Sequence, residues 1–166
     1  MSFNLKVISK SEGFDWTEFA TGLVRIGEID ATSVQDMVTK VCNKASEKSA
    51  TIDRLDIFAH GSNTYFEIGK DTIHSYTPNT HAGTLGKLKR FFPKDGIVVL
   101  NVCDIGQCEA LIVTIARAVG VNVYACAGGV SPNLNIMWGV IVVGRPDGTF
   151  QRGVKIPVDP WDGVQS

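Results

Sequence analysis

His60 and Cys103 are the two side chains of this sequence whose types and placement suit catalysis. Each directly follows an apolar stretch that reads as a strand, Leu55–Ala59 before the histidine and Ile97–Val102 before the cysteine. In open α/β sheets, functional groups gather beyond the carboxyl ends of the strands. Adjacent parallel strands lie about 4.8 Å apart, so imidazole and thiol come within reach of each other if the two strands are neighbours. The pairing matters chemically. A thiol with a pKa of about 8.5 is mostly protonated at neutral pH, and a nearby imidazole can take its proton to leave the nucleophilic thiolate. Gly61 adds a third element, because without a Cβ its N–H can approach a substrate carbonyl and hold a developing oxyanion. Cys103 also precedes a helix expected to begin near Gln107, whose N-terminal dipole favours a thiolate.

Each residue has a plainer reading. A cysteine that ends an apolar strand often serves as a small hydrophobe of the core, and His-Gly at a strand end is often only a turn. What favours chemistry is the coincidence of the two at the ends of two strands.

The elements around them must bring those strand ends together. Phe3–Ile8 reads as a first strand, and Asp15 as the cap of a helix carrying Trp16, Phe19, Ala20 and Leu23. A firmer helix covers residues 34–48, where Val34, Met37, Val38, Val41 and Ala45 form one apolar stripe behind the capping Ser33. Residues 65–68 and 72–74 flank Gly69-Lys70-Asp71 as a small hairpin, and Thr80 caps a helix bearing Leu85, Leu88 and Phe92. Ile97–Val102 is the clearest buried strand, with four consecutive apolar residues suited to cover on both faces. A helix over 107–119, a strand over 121–125 and a hairpin around Arg145-Pro146-Asp147-Gly148 follow. Alternating strands and helices imply a mostly parallel open sheet with helices on both faces, in one α/β domain over residues 1–166. Residues 154–166 read as an extended tail.

The stretches LDIFAHGSN, TYFEIGKDTIH and GIVVLNVCDIGQ, over Leu55 to Ala127, together resemble the caspase–gingipain superfamily of cysteine peptidases (clan CD). The likeness is nearest to bacterial CHAT and related caspase-like domains, with strand, His-Gly, hairpin, strand and Cys-x-x-Gly in that order. The spacing of 43 residues from His60 to Cys103 is compatible with it. The resemblance implies a caspase-like fold, His60 as proton-handling partner and Cys103 as nucleophile. It further implies an oxyanion hole from the backbone N–H groups of Gly61 and Cys103. Asn101-Val102-Cys103-Asp104-Ile105 stands where a caspase has Gln-Ala-Cys-x-Gly. A non-catalytic binding or scaffold module of the same fold is the alternative.

Ser62, Asp104, Gly128 and Gly129 are further candidates for contact with substrate, although Asp104 suits a helix cap better. Gly83-Thr84-Leu85-Gly86-Lys87-Leu88 lacks the spacing of a phosphate loop and reads as helix surface. His74 and His81 read as solvated, and Trp16, Trp138 and Trp161 as single aromatics. Cys42, Cys103, Cys108 and Cys126 form no CxxC pair, and a metal cluster of Cys103, Cys108, His60 and His74 lacks any ligand spacing. No cofactor is expected. A net charge of −1 without a long run of one sign argues against nucleic acid or an anionic membrane. No apolar run reaches the roughly 20 residues of a membrane span or resembles a signal peptide. A cytoplasmic place of action and a peptide, protein substrate or protein partner are the expectations.

Overall fold

The computed structural model describes residues 1–11, 14–15, 28–77, 79–131 and 136–157. Strand β1 (Ser2–Ser11) is followed by β2 (Phe14–Asp15) and β3 (Glu28–Ala31). Helix α1 (Val34–Lys48) leads into β4 (Thr51–Phe58), and a hairpin follows from β5 (Tyr65–Ile68) and β6 (Asp71–His74). Helix α2 (Ala82–Leu85) continues as a 3-10 segment over Gly86–Phe91 and leads to β7 (Ile97–Asn101). A 3-10 turn at Ile105–Gln107 and helix α3 (Glu109–Val119) precede β8 (Asn122–Cys126). The chain then makes β9 (Gly129–Ser131), β10 (Ile136–Trp138), β11 (Ile141–Gly144) and β12 (Phe150–Arg152).

The central sheet is mostly parallel and flanked by helices, the expected class. Its path runs β12-β11-β8-β7-β4-β1-β2, with β3 also paired to β1. Strands β3, β1, β4, β7 and β8 are mutually parallel, while β11 and β12 form an antiparallel hairpin added at the β8 edge. The adjacency that the candidate site requires is present: β4 and β7 are neighbours, in register from Arg54↔Ile97 to Phe58↔Asn101.

Alternation along these strands divides the core. Leu5, Val7, Leu55, Ile57, Val98, Leu100, Val123 and Ala125 join the apolar stripes of α1 and α3 in one large cluster. A smaller one gathers Ile97, Val99, Tyr124 and Val143, over which Met137, Ile141, Val154 and Ile156 close. Burying a Leu, Ile or Val side chain contributes about 1.5–3 kcal/mol, so the large cluster dominates stability. Ser33 caps α1 as expected, its Oγ accepting from Asp36 N at 2.9 Å, and the Asp71 carboxylate accepts from Val34 N at 2.9 Å.

Two local expectations need correction. The helix carrying Leu85 and Leu88 is one α-turn followed by a 3-10 segment, and its N-cap is His81, without a side-chain bond, rather than Thr80. Leu85, Leu88 and Phe91 recur every third residue, which suits 3-10 geometry, and Gly83 and Gly86 weaken the α-helix. Strand β3 lies where no strand is expected, paired in parallel to β1 over Lys6–Ser9. The amphipathic stretch with Trp16, Phe19, Ala20 and Leu23 lies outside the described residues, as does the tail from residue 158.

Numbered by first appearance, the five parallel strands run 2-1-3-4-5, an order whose ligand crevice normally opens between β1 and its neighbour β4. Here the β5–β6 hairpin occupies that ground. The buried Ser9 at the carboxyl end of β1 donates through Oγ to Glu67 O at 2.8 Å and accepts from Gly69 N at 2.9 Å. Lys70 N donates to Thr32 O at 3.0 Å beyond β3, and Phe66, Ile68 and Ile73 anchor the hairpin in the core. The usable strand ends are therefore those of β4, β7 and β8.

Candidate active site

His60 and Cys103 each stand two residues beyond the last paired residues of adjacent parallel strands, Phe58 and Asn101. The face they continue carries a buried polar contact, two residues before Cys103 on one strand and four before His60 on the other. Asn101 Nδ2 donates to Asp56 Oδ1 at 3.1 Å, and Asp56 receives Arg54 at 2.7 Å through Nε and 2.9 Å through its terminal nitrogen. Alternation carried onward from Asp56, Phe58 and Asn101 puts the histidine and the cysteine on that same face. Both are half-buried.

The two motif glycines are places of close backbone approach. A Cβ on Gly61 would stand 2.5 Å from Tyr65 O and 2.8 Å from Phe66 Cβ, so the turn after His60 can lie flat on the hairpin only as glycine. Gly61 pairs with Phe66 in an isolated antiparallel bridge whose bonds are Ser62 N to Tyr65 O and Glu67 N to His60 O. That is the non-hydrogen-bonded type of pair, which turns the N–H of Gly61 away from the hairpin. On the other side, a Cβ on Gly106 would come within 2.5 Å of the Cys126 carbonyl carbon and 2.7 Å of Ala127 N. Cys-x-x-Gly is thus the spacing that lets the chain turn after Cys103 and press back onto the end of β8.

The turn itself is tight. Asp104 adopts φ +60, in the left-handed region where aspartate is tolerated better than most residues. Its N–H donates to Gly128 O at 2.9 Å, and the Gln107 side chain ties the Asp104 carboxylate at 3.4 Å to Ala127 O at 3.1 Å. Asp104 therefore does not cap a helix with its side chain. Nor does the Cys103 thiol sit at a helix N-terminus. The 3-10 turn intervenes, α3 begins only at Glu109, and a helix dipole fades within one turn.

The sulfur of Cys103 has partners in the segment after β8. It accepts from Val130 N at 3.4 Å and faces Val130 O at 3.8 Å. Among the described residues no hydrogen bond joins it to the His60 ring. Gly128 and Gly129 immediately precede Val130 in the chain, and Gly128 N donates to the Cys126 sulfur at 3.4 Å. Burial pushes the Cys126 thiol up, and the nearby Asp104 and Cys103 add to this. Ser62 is engaged in its own turn, its Oγ accepting from Thr64 N at 3.2 Å. The exposed Trp138, paired with Gly129 across β9 and β10, is an apolar surface beside the segment that holds the sulfur. Single-aromatic reasoning missed it, and so did it miss Val130, which acts through its backbone and leaves no signal in residue type.

His74 stands outside this site and departs from expectation. Its ring contacts those of Tyr65, at 5.4 Å, and Tyr76, at 5.6 Å, and its buried Nδ1 has no hydrogen-bond partner among the described residues. Among the described residues no group of three His, Cys, Asp or Glu side chains is placed to hold a metal ion. No described helix is long and apolar enough to cross a membrane. All four cysteines are free thiols.

A family model described as a domain of unknown function (DUF4347) matches residues 15–130. The matched span includes His60 and Cys103 and ends on Val130. No curated protein and no solved structure matches the chain.

Proposed function

The chain belongs to the DUF4347 family, and within it we propose a caspase-like cysteine peptidase, or a closely related thiol hydrolase, with Cys103 as nucleophile and His60 as its proton partner. The observation that carries this reading is the register that sets both residues two positions past paired strand ends on one face. Cys103 gives its thiol proton to His60, and the sulfur attacks a peptide carbonyl carbon. The oxyanion so formed receives the N–H groups of Gly61 and Cys103. Collapse breaks the C–N bond as His60 returns the proton to the leaving amine. Water, deprotonated by His60, then splits the thioester to release the acid and restore the thiol. Four free thiols support a reducing compartment, the cytoplasm, as its place of action.

Limiting iodoacetamide followed by peptide mapping tests the dyad. Cys103 should label faster than Cys42, whose thiol burial pushes up, and His60→Ala should slow the labelling of Cys103. Equal rates at the two cysteines, or an unchanged rate in the histidine variant, would sink the proposal.

A second reading rests on one contact. The Cys103 sulfur is bonded to the Val130 backbone rather than to His60, which suits a binding module that keeps the cleft for a peptide or a protein partner. Turnover of peptide substrates that Cys103→Ser abolishes separates the two.

A further inference from the structure

A groove of about 590 Å³ runs between α1 and the 3-10 segment. One wall is the exposed polar row Gln35, Thr39 and Asn43 on α1, each four residues from the next, with Gln35 Nε2 donating to Thr39 Oγ1 at 3.0 Å. The floor is Val38 and the half-buried Cys42, whose sulfur faces Lys87 O at 3.9 Å across the groove. Lys87, Lys89 and Arg90 form the other wall, all exposed. None of the three is paired with a carboxylate among the described residues, where ion pairs join Lys10 to Asp30, Lys40 to Asp36 and Arg54 to Asp56. Among the described residues no acidic side chain lines the groove. In a chain of net charge −1 this is a local concentration of positive charge, with Arg90 lying over the Phe91 ring at 4.7 Å.

We propose that this groove docks an acidic, extended peptide segment of a protein partner, with carboxylates toward Lys87, Lys89 and Arg90 and an apolar side chain on Val38 and Cys42. Shape and charge both select that occupant. The polar row on α1 rises over eight residue steps, about 12 Å at 1.5 Å per step, which is the reach of three to four extended residues. Its amide and hydroxyl groups can bond a peptide backbone, and Lys87 and Arg90, three residues apart, share one side of the 3-10 segment. Nucleic acid needs a longer basic track than three side chains. A bilayer surface is too flat to enter a groove.

The full chain is titrated with a fluorescein-labelled hexapeptide of Glu, Asp and Leu, and with its Gln, Asn and Leu counterpart. The acidic peptide should bind about tenfold more tightly or better, weaken as ionic strength rises, and slow iodoacetamide modification of Cys42. Lys87→Glu with Arg90→Glu should cost about tenfold or more, and the glutamine pair supplies the comparison if the reversal unsettles the fold. Equal binding of both peptides, full affinity in the charge variants, or an unprotected Cys42 would overturn the assignment. Displacement of the peptide by inorganic phosphate at equal concentration would also overturn it, in favour of a small-anion site.

Discussion

Val130 places its backbone N–H 3.4 Å from the sulfur of Cys103, across 27 residues of chain. A backbone donor aimed at a thiol is equally aimed at the thiolate, which accepts the stronger bond. The segment after β8 thus belongs to the site as much as the two strand ends do. Trp138 is registered against Gly129, next to Val130 in that segment.

Gly106→Ala is expected to lower stability by about 1–3 kcal/mol, the usual cost of forcing a methyl group into packed surroundings. Its Cβ would meet the backbone of Cys126 and Ala127, which cannot rotate away as a side chain could. A shift of the urea midpoint, together with slower labelling of Cys103, is the measurement. An unchanged midpoint would show that the turn is looser than its close approach implies.

Asp56→Ala should cost about 3–5 kcal/mol, because it removes the buried carboxylate that accepts from both Arg54 and Asn101. Asn101→Ala removes one neutral donor and should cost about 1–3 kcal/mol. Chemical denaturation of both variants and the double variant checks the order. Costs that add fully would mean that Asp56 and Asn101 do not act as one clamp between β4 and β7.

Ser9→Ala should loosen the hairpin while leaving the sheet intact. The hydroxyl is the shared partner of Glu67 O and Gly69 N, and its loss strands two groups in a buried place. Hydrogen exchange at the Gly69 amide should quicken markedly more than exchange within β7. Equal changes at both would point to global destabilisation instead.

Acid should weaken the start of α1. The Asp36 carboxyl is held below its ordinary value chiefly by the Lys40 ammonium bonded to it, and further by Thr32. A depressed folded value stabilises the protein above the unfolded value, about 3.9, and that contribution disappears as pH falls through the lower folded one. The stability difference between wild type and Asp36→Asn, followed by circular dichroism, should therefore shrink on the acid side of about pH 4. A difference independent of pH would assign the effect to something other than charge.

What could be read from residue types is what depends on burial and periodicity. The strands ending at Phe58 and Asn101, the stripe of α1, the hairpin after His60 and the hairpin around Asp147 all carry alternation or a turn signature. What escaped depends on tertiary partners. Strand β3 is four residues long and exists because β1 offers a parallel edge. The segment over Gly86–Phe91 keeps its buried side chains but tightens to 3-10 geometry. At the site, the strand ends were legible while the Val130 contact was not, because a main-chain N–H belongs to every residue except proline. The thiolate-stabilising dipole expected at Cys103 failed for a related reason: Ile105–Gln107 takes up the turn before the helix begins.

The close packing at Gly61 and Gly106 bears on how lost activity would look among relatives. Both glycines are demanded by the way the turns lie against neighbouring chain, whether or not any bond is ever cleaved there. A relative that had abandoned catalysis would still need them, and would keep the outline of the motif while its histidine and cysteine drifted. Retention of the glycines therefore dates the architecture alone. The fate of two side chains records the chemistry.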